Sequence, residues 1–280
     1  MVSREVWSVS LGRWRGVHVR LHMFFLLFAV FNYYLLWFSQ KNLGTDVTAE
    51  HDVISIMFVA ILFVSVVLHE LGHVLVARRL GAHVDTVVIG PLGGMRPIRI
   101  PHDPQSELLS IIAGPMMSLA ICLMCLSAFA AIGFADIPSL INPFVVPTVI
   151  FESFEQNKVL SGGVVVGLAC WINWLLVLVN LIPAYPFDGG RACKALLQSV
   201  RPELETRHAV LLVGHLARFV ALGLLIAAVV FRGQFAFDAS SAVPTWLALV
   251  MLSIFVFFIT RVEEMPVSYT HLTLPTICSV

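Results

Sequence analysis

The amino-acid sequence predicts an all-α integral membrane protein with six transmembrane helices and a small membrane-associated β-hairpin after the second helix. Hydrophobic residues make up 59% of the 280 residues and charged residues 12%, whereas soluble domains average about 45–50% apolar and about 25% charged residues. The mean hydropathy of +0.91 agrees with this class. Basic and acidic residues number 17 each, so no excess of positive charge points to a nucleic-acid partner.

Six apolar segments approach the length of about 20 residues that a helix needs to cross a bilayer. The first follows four arginines, the second turns polar in its last third, and the third contains an Ala-Gly-Pro sequence. The fourth ends in a segment rich in proline and glycine. The fifth contains Arg218, whose side chain we expect to extend to the membrane surface. In order, the segments cover residues 22–39, 53–77, 108–135, 159–183, 209–231 and 244–260.

The lysines and arginines outside these segments predict the orientation of the chain. With six crossings, the loops on one side carry 13 of them and the loops on the other side carry three. Loops that carry an excess of Lys and Arg stay in the cytoplasm. Both termini are therefore predicted to be cytoplasmic.

The second segment contains the sequence His69-Glu70-Leu71-Gly72-His73. Side chains at positions i and i+4 of a helix share one face, so the two histidines can bind the same ion. Neutral imidazole nitrogens suit zinc, and Glu70 can reach a water on the metal without being a ligand. Ionisable residues inside a membrane are costly, which favours a functional role over a purely structural one. A catalytic zinc needs about three protein ligands, so a third must come from elsewhere.

The leading candidate for the third ligand lies after the fourth segment, in the sequence N-L-I-P-A-Y-P-F-D-G-G that begins at Asn180. Pro183 and Pro186 stop the helix, and the paired glycines permit backbone angles that other residues resist. Irregular backbone at membrane depth is tolerated where protein buries it or where it lines a wet cavity. Taken alone, Asp188 suits a solvated cytoplasmic turn. Its combination with the two histidines instead favours metal binding.

Together, the two motifs resemble the site-2 protease family of intramembrane zinc metalloproteases, which is peptidase M50-like, and in particular its compact six-span microbial branch. The resemblance covers residues 17–261. The sequences R-L-H at 20–22, G-P-L-G-G at 90–94 and A-G-P at 113–115 are also similar to family segments. Ser118 departs from the family, many members of which have asparagine at that position.

The resemblance implies a role for each motif residue. It implies one catalytic zinc and three ligands to it, His69, His73 and Asp188. It implies that a water on the zinc attacks the peptide bond while Glu70 acts as the general base, and that Asn180 is catalytic through the substrate or the oxyanion. The residues implied to bind substrate are Gly93, Gly94, Asn180, Pro183 and Pro186.

The implied substrate is a single-span transmembrane protein in the lipid bilayer, cut within or near its membrane-spanning segment in regulated intramembrane proteolysis. Residues 84–100 carry β-branched stretches on both sides of a Gly-Pro turn and can form a hairpin whose edge pairs with an unwound substrate. An ordinary cytoplasmic loop is the alternative. His69 lies about 24 Å along the second segment from its outer end, so the active site is predicted near the cytoplasmic side. The implied location is a prokaryotic inner or plasma membrane.

Other functions stay open at this point. A six-span zinc carrier or sensor needs ion ligands along a path, whereas here they concentrate at one place. A prenyl-peptide endopeptidase would place a glutamate ligand on a later helix, where this chain has an aspartate in a broken segment. An inactive protease homologue is the third alternative, although every catalytic position is filled.

Residues 1–264 are predicted to form one intramembrane metalloprotease domain. Residues 265–280 are polar, rich in threonine and unlike the rest of the chain, and we expect them to be a cloning or sequencing artefact. No oligomeric state follows from the sequence.

Overall fold

The computed structural model describes residues 7–43, 49–94, 103–131, 137–143, 162–232 and 245–269, in which the chain is mostly helical with a small sheet. The chain divides into two compact units, and the boundary lies between Asn180 and Leu181. The elements of the first unit are β1 (Ser8–Trp14), β2 (Val17–His22), α1 (Met23–Leu43), α2 (Ala49–Arg79), β3 (Thr86–Ile89), α3 (Pro104–Ala131), α4 (Ile137–Ile141) and α5 (Gly162–Asn180). Those of the second unit are α6 (Asp188–Val200), α7 (Thr206–Phe231) and α8 (Thr245–Tyr269).

Four helices in the described parts of the chain are long and apolar enough to cross a membrane, which agrees with an integral membrane protein. They correspond to the second to fifth predicted segments and lie in α2, α3, α5 and α7. The first and sixth segments form α1 and α8, but the apolar stretches of these helices, Met23–Leu35 and Trp246–Val262, are shorter. By length and composition, the helices therefore support four crossings, two fewer than the sequence predicts.

The three described strands form a sheet in the order β1-β2-β3, with β1 antiparallel and β3 parallel to β2. The β1–β2 connection consists of Arg15 and Gly16, which both have positive φ (47° and 85°), as the favoured two-residue hairpin turns require. The sequence prediction assigned no strand before the first helix. β3 covers the first half of the hairpin predicted over residues 84–100. Residues 95–100 lie outside the described residues, so the rest of that hairpin stays a prediction.

One apolar cluster joins the sheet to helices α2 and α5. Val17, Val87 and Ile89 supply the sheet side and are buried, because alternate residues of a strand point to the same face. The helices supply buried aliphatic side chains, among them Val66 and Val74 of α2, Leu168 and Ile172 of α5. This packing fixes β3, and with it the turn that follows β3, against α2.

Helices α2 and α3 approach each other closely at Gly72. A Cβ atom on Gly72 would lie 2.5 Å from the carbonyl oxygen of Ala113 and 3.1 Å from Cβ of Met117. Glycine is required because any side chain would push the two backbones apart. Asp103 lies just before α3, and its carboxylate accepts hydrogen bonds from the Ser106 hydroxyl and from the backbone N–H groups of Ser106 and Gln105 in the first turn. These bonds hold the pKa of the Asp103 carboxyl below its usual value.

In the second unit, Arg218 of α7 has a charged partner on the next helix that the sequence did not predict. Its guanidinium forms an ion pair with Glu264 of α8, with 2.9 Å between Nη2 and Oε1. Gly214, one turn before Arg218, lies against the same carboxylate, and a Cβ there would overlap Oε1. A partner of opposite charge on the adjacent helix offsets the cost of an ionised arginine within an apolar helix.

We expect the variant Arg218→Ala to be less stable, because it leaves a buried carboxylate without its guanidinium. Removing one member of a buried pair costs about 3–5 kcal/mol, and the low end applies because the Arg218 side chain is 26% exposed. Thermal unfolding in detergent measures this loss. The double variant Arg218→Ala/Glu264→Ala should recover part of it, and equal stability of the single and double variants would contradict the pair.

Candidate metal centre and active site

Three potential metal-binding side chains converge on one face of α2. His69, Glu70 and His73 are all buried, and one ligand atom of each lies within 4.8 Å of the others. The two histidines are one helical turn apart, as the motif predicts. This group lies within Asp52–Arg79, the stretch of α2 that is long and apolar enough to span a membrane.

The two imidazole rings bring their Nε2 atoms close together. These atoms are 3.2 Å apart. Two nitrogens that bind the same tetrahedral zinc, each at about 2.0–2.1 Å, are separated by about 3.3 Å. Nδ1–H of His73 donates to the carbonyl oxygen of Ser110 at 2.8 Å, and because a carbonyl only accepts, Nε2 carries the lone pair. The donor set therefore fits zinc.

Helix α3 holds both rings from the side opposite the metal position. Ser118 Oγ lies 3.1 Å from Nδ1 of His69, and the Ser110 carbonyl accepts from His73. Between them, Gly114 faces the His73 ring so closely that a Cβ would overlap it. Ser110, Gly114 and Ser118 follow one another at intervals of four residues. Sequence reasoning missed Ser110 and treated Ser118 as a departure, although small residues at this spacing mark a helix face that permits close contact.

The turn after β3 covers Glu70. The backbone N–H of Gly94 donates to Glu70 Oε1, and a Cβ on Gly94 would overlap the carboxylate. Gly93 has a φ of 143°, which side chains rarely allow, and its missing Cβ would lie 3.7–3.9 Å from Glu70 Oε1, Asn180 Oδ1 and His69 Nε2. The two glycines thus bring a bare backbone directly over the histidines and Glu70.

Asn180, the last residue of α5, anchors this turn from the other side. Its side-chain amide donates to the carbonyl oxygens of Leu92 and Leu176, both at 3.0 Å. The amide has two hydrogens, and each has a backbone acceptor here. For Asn180 to donate to an oxyanion, as the family resemblance implies, one of these acceptors must be displaced. The structure thus brings together six of the predicted site residues: His69, Glu70, His73, Gly93, Gly94 and Asn180.

The other predicted site residues, Pro183, Pro186 and Asp188, belong to the second unit. Asp188 is the first residue of α6 and is buried, with 3.8 Å between its Oδ1 and Nη1 of Arg191. The preceding segment folds back on the helix so tightly that a Cβ on Gly189 or Gly190 would overlap backbone atoms of residues 181–185. This explains the two glycines after Asp188. The role of Asp188 as a metal ligand stays a prediction.

Comparisons with known proteins identify what this chain is similar to. The family model of peptidase family M50 matches residues 57–224. A zinc metalloprotease of Methanocaldococcus jannaschii is 30% identical over 68% of this chain and 46% of its own length. The protein Rip3 of Mycobacterium tuberculosis is 28% identical over 83% of this chain and 58% of its own length. The chain thus spans about half the length of these curated relatives.

A solved structure is similar over almost the whole chain. The site-2 protease from Methanocaldococcus jannaschii matches with a TM-score of 0.57 and 25% sequence identity. The match covers 98% of this chain and 99% of that one. The family match at residues 57–224 includes all the predicted site residues.

We expect Ser118→Ala to weaken zinc binding, because the Ser118 hydroxyl holds the His69 ring through Nδ1. Loss of such a partner typically lowers metal affinity about 10–100-fold. Competition with a zinc-binding dye measures the affinity in detergent. Ser127→Ala is the matched control, since the Ser127 hydroxyl lies on the same helix and bonds only to the Met124 carbonyl in the described contacts. Equal affinities of the two variants would remove Ser118 from the metal site.

Proposed function

This chain belongs to peptidase family M50, and on that basis we propose that it is an intramembrane zinc metalloprotease that hydrolyses peptide bonds within or near transmembrane segments. The observation that carries this proposal is the pair of buried Nε2 atoms 3.2 Å apart, with the Glu70 carboxylate beside them, on a helix able to span a membrane. Ionisable side chains within a membrane-spanning helix lower its stability in the bilayer, so a buried cluster of this kind indicates a functional metal site.

One zinc ion fits the two histidines, and Asp188 is the proposed third ligand. Two observations support Asp188 as a ligand. It is buried, and it lies at the start of α6, after an irregular segment that contains two prolines. A carboxylate oxygen completes a set of three protein ligands and leaves a position open for reaction. When bound, zinc supplies Lewis-acid activation of water and of the substrate carbonyl.

Glu70 is the proposed general base. It lies next to the two histidines, so a water between it and the metal position is within reach of the carboxylate. Glu70 accepts a proton from that water and returns it to the amine that leaves. Glu70 is buried, so little bulk water surrounds its carboxylate, and this strengthens each electrostatic contact in the site.

The turn over Glu70 indicates how an extended peptide would bind. The Leu92 carbonyl accepts a hydrogen bond from Asn180, and the Gly94 N–H donates one to Glu70. A backbone carbonyl and a backbone N–H of any other peptide could make the same two hydrogen bonds. A substrate would take over these contacts. Asn180 would then hold its carbonyl, and Gly93 and Gly94 would line the peptide without side chains. Pro183 and Pro186 are proposed to flank it on the side of Asp188.

The proposed substrate is a single-span transmembrane protein whose helix unwinds at the cleaved bond. β3 is an edge strand that pairs only with β2 among the described strands, and its end leads into the turn over Glu70. An unwound segment can add to such an edge through backbone hydrogen bonds. This geometry favours substrates whose helices contain weak helix formers.

Six crossings, with both termini in the cytoplasm of a prokaryotic cell, complete the proposal. The distribution of Lys and Arg supports this topology, and the shorter apolar stretches of α1 and α8 are the proposed two additional crossings. Local thinning of the bilayer, or extension of flanking side chains to the interface, accommodates a short apolar helix at modest cost. The catalytic site then lies nearer to the cytoplasmic surface.

We expect the purified protein in detergent to contain about one zinc per chain, as a site of this type requires. Glu70→Gln should keep the zinc, because Glu70 is not a ligand. Asp188→Ala should lose most of it. Elemental analysis measures the content, and Glu203→Ala, which removes an exposed carboxylate of the second unit, is the control. Full zinc in Asp188→Ala would mean that the third ligand lies elsewhere.

We expect Glu70→Gln to cut a tagged single-span test protein with Gly-Pro residues in its helix about 10²–10⁴-fold more slowly, because glutamine has a similar shape but cannot accept the proton. Gel analysis of the cleavage products in detergent measures the rate. Glu203→Gln should cleave at the wild-type rate. Unchanged cleavage by Glu70→Gln rules out its role as base. Zinc without any cleavage by the wild type, over a panel of such proteins, would favour a zinc carrier, a sensor or an inactive homologue.

A further inference from the structure

Strand β1 carries an apolar face that extends beyond the protein core. In the antiparallel pair, directly opposed residues point to the same side of the sheet. Val9 is opposite Leu21, and Trp14 is opposite Val17. Val17 and Leu21 are part of the apolar cluster or pack against it, so Val9 and Trp14 lie on the side of the sheet that faces the helices.

The outer half of this face is exposed in the protein. Val17 of the central strand is only 6% exposed, whereas Val9 is 49% and Trp14 is 59% exposed. Trp7, immediately before the strand, continues the alternation and is 65% exposed. The helices thus cover the apolar face of β2 and β3 but leave that of β1 exposed, including the indole rings of Trp7 and Trp14.

The opposite face of the same strand is polar. Ser8 and Ser10 point away from the helices and contact the basic side chains of β2. Arg20 donates to the hydroxyl of Ser8 at 2.8 Å, and Ser10 Oγ lies 2.8 Å from His18 Nε2. β1 is therefore amphipathic across its two faces, with polar groups that bond to each other on one side and large apolar groups that project on the other.

In the proposed six-span topology, this sheet lies at the boundary of the membrane. β2 ends at His22, and α1 begins at the next residue with the apolar sequence M-F-F-L-L-F. Met23, Phe24 and Leu27 of that first part are exposed, as expected of a helix that faces lipid. The backbone N–H of Met23 also donates to the carbonyl of Trp7, so Trp7 lies level with the start of α1.

We propose that the apolar face of β1 inserts into the interfacial zone of the lipid bilayer and holds the sheet on the membrane surface. The occupant of this face is lipid, at the depth of the headgroups and the first acyl carbons, where tryptophan side chains concentrate. Two observations select lipid. The face is continuous with the exposed apolar start of α1, and the exposed Arg15 follows Trp14 in the β1–β2 turn, at the end of this face, where a guanidinium can pair with a headgroup phosphate.

This anchoring has a consequence for the site over α2. β1 holds β2, β2 pairs with β3, and β3 leads into the turn that covers Glu70. The depth of the sheet in the membrane thus fixes the height of that turn. The proposal rests on the crossing of α1 in the proposed topology, but it depends neither on zinc nor on proteolysis.

Tryptophan fluorescence of the full chain in proteoliposomes tests the proposal. In a Trp7→Phe/Trp14→Phe background, one variant carries Val9→Trp and a second carries Ser10→Trp, which place the same ring on opposite faces of one strand. Emission that each variant adds over the background is measured with lipids brominated near the glycerol backbone, with lipids brominated near the methyl end, and with iodide in the buffer. Zinc content and unfolding temperature verify that both variants are folded.

We expect the emission added by Val9→Trp to be blue-shifted, strongly quenched by the shallow bromines and protected from iodide. The emission added by Ser10→Trp should be quenched by iodide and little affected by either bromolipid. Equal iodide quenching of both variants would overturn the proposal, because β1 would then lie in water. Protection of the Val9→Trp variant from iodide and from both bromolipids would also overturn it, because protein would then cover the face.

Discussion

The site depends on the close contact between helices α2 and α3. A buried imidazole must have a partner for Nδ1–H before Nε2 can face a metal ion, and in this chain α3 supplies that partner through the Ser110 carbonyl and the Ser118 hydroxyl. The helices can approach to this distance because Gly72 and Gly114 have no side chains. A methyl group at either glycine would separate the backbones and displace the rings. Packing of two apolar helices and metal binding are therefore one constraint.

The turn after β3 covers the Glu70 carboxylate, which lies in an apolar environment. Burial of a carboxylate lowers the stability of the fold unless the carboxylate is hydrogen-bonded. The Gly94 N–H donates such a bond to Glu70, and glycine leaves the space beside the carboxylate free of a side chain. Asn180 holds the same turn through the Leu92 carbonyl. In the proposed function, a peptide backbone replaces these contacts, so substrate binding would exchange hydrogen bonds with little net loss.

The small sheet links this turn to the membrane. Its inner strand packs on α2, and its outer strand presents Trp7 and Trp14 on the same side. The parallel β2–β3 pairing joins residues that are separated by two whole helices, which is the type of contact that local sequence patterns describe least well. The N-terminal residues, which have no apolar run of helical length, thereby help to set the position of the active-site turn.

The sequence by itself determined the membrane class, the helical segments and the family, and the family resemblance is confirmed by the M50 match. Spacing sufficed for His69, Glu70 and His73, because residues one turn apart on a helix must share a face. Only the tertiary structure decided which groups contact the Nδ1 atoms of the two histidines and the guanidinium of Arg218. Ser110 and Ser118 reach the rings across a helix pair, and Arg218 pairs with Glu264 of the next helix. Such partners are far apart in the chain, and their selection depends on how closely two backbones approach, which no local pattern encodes.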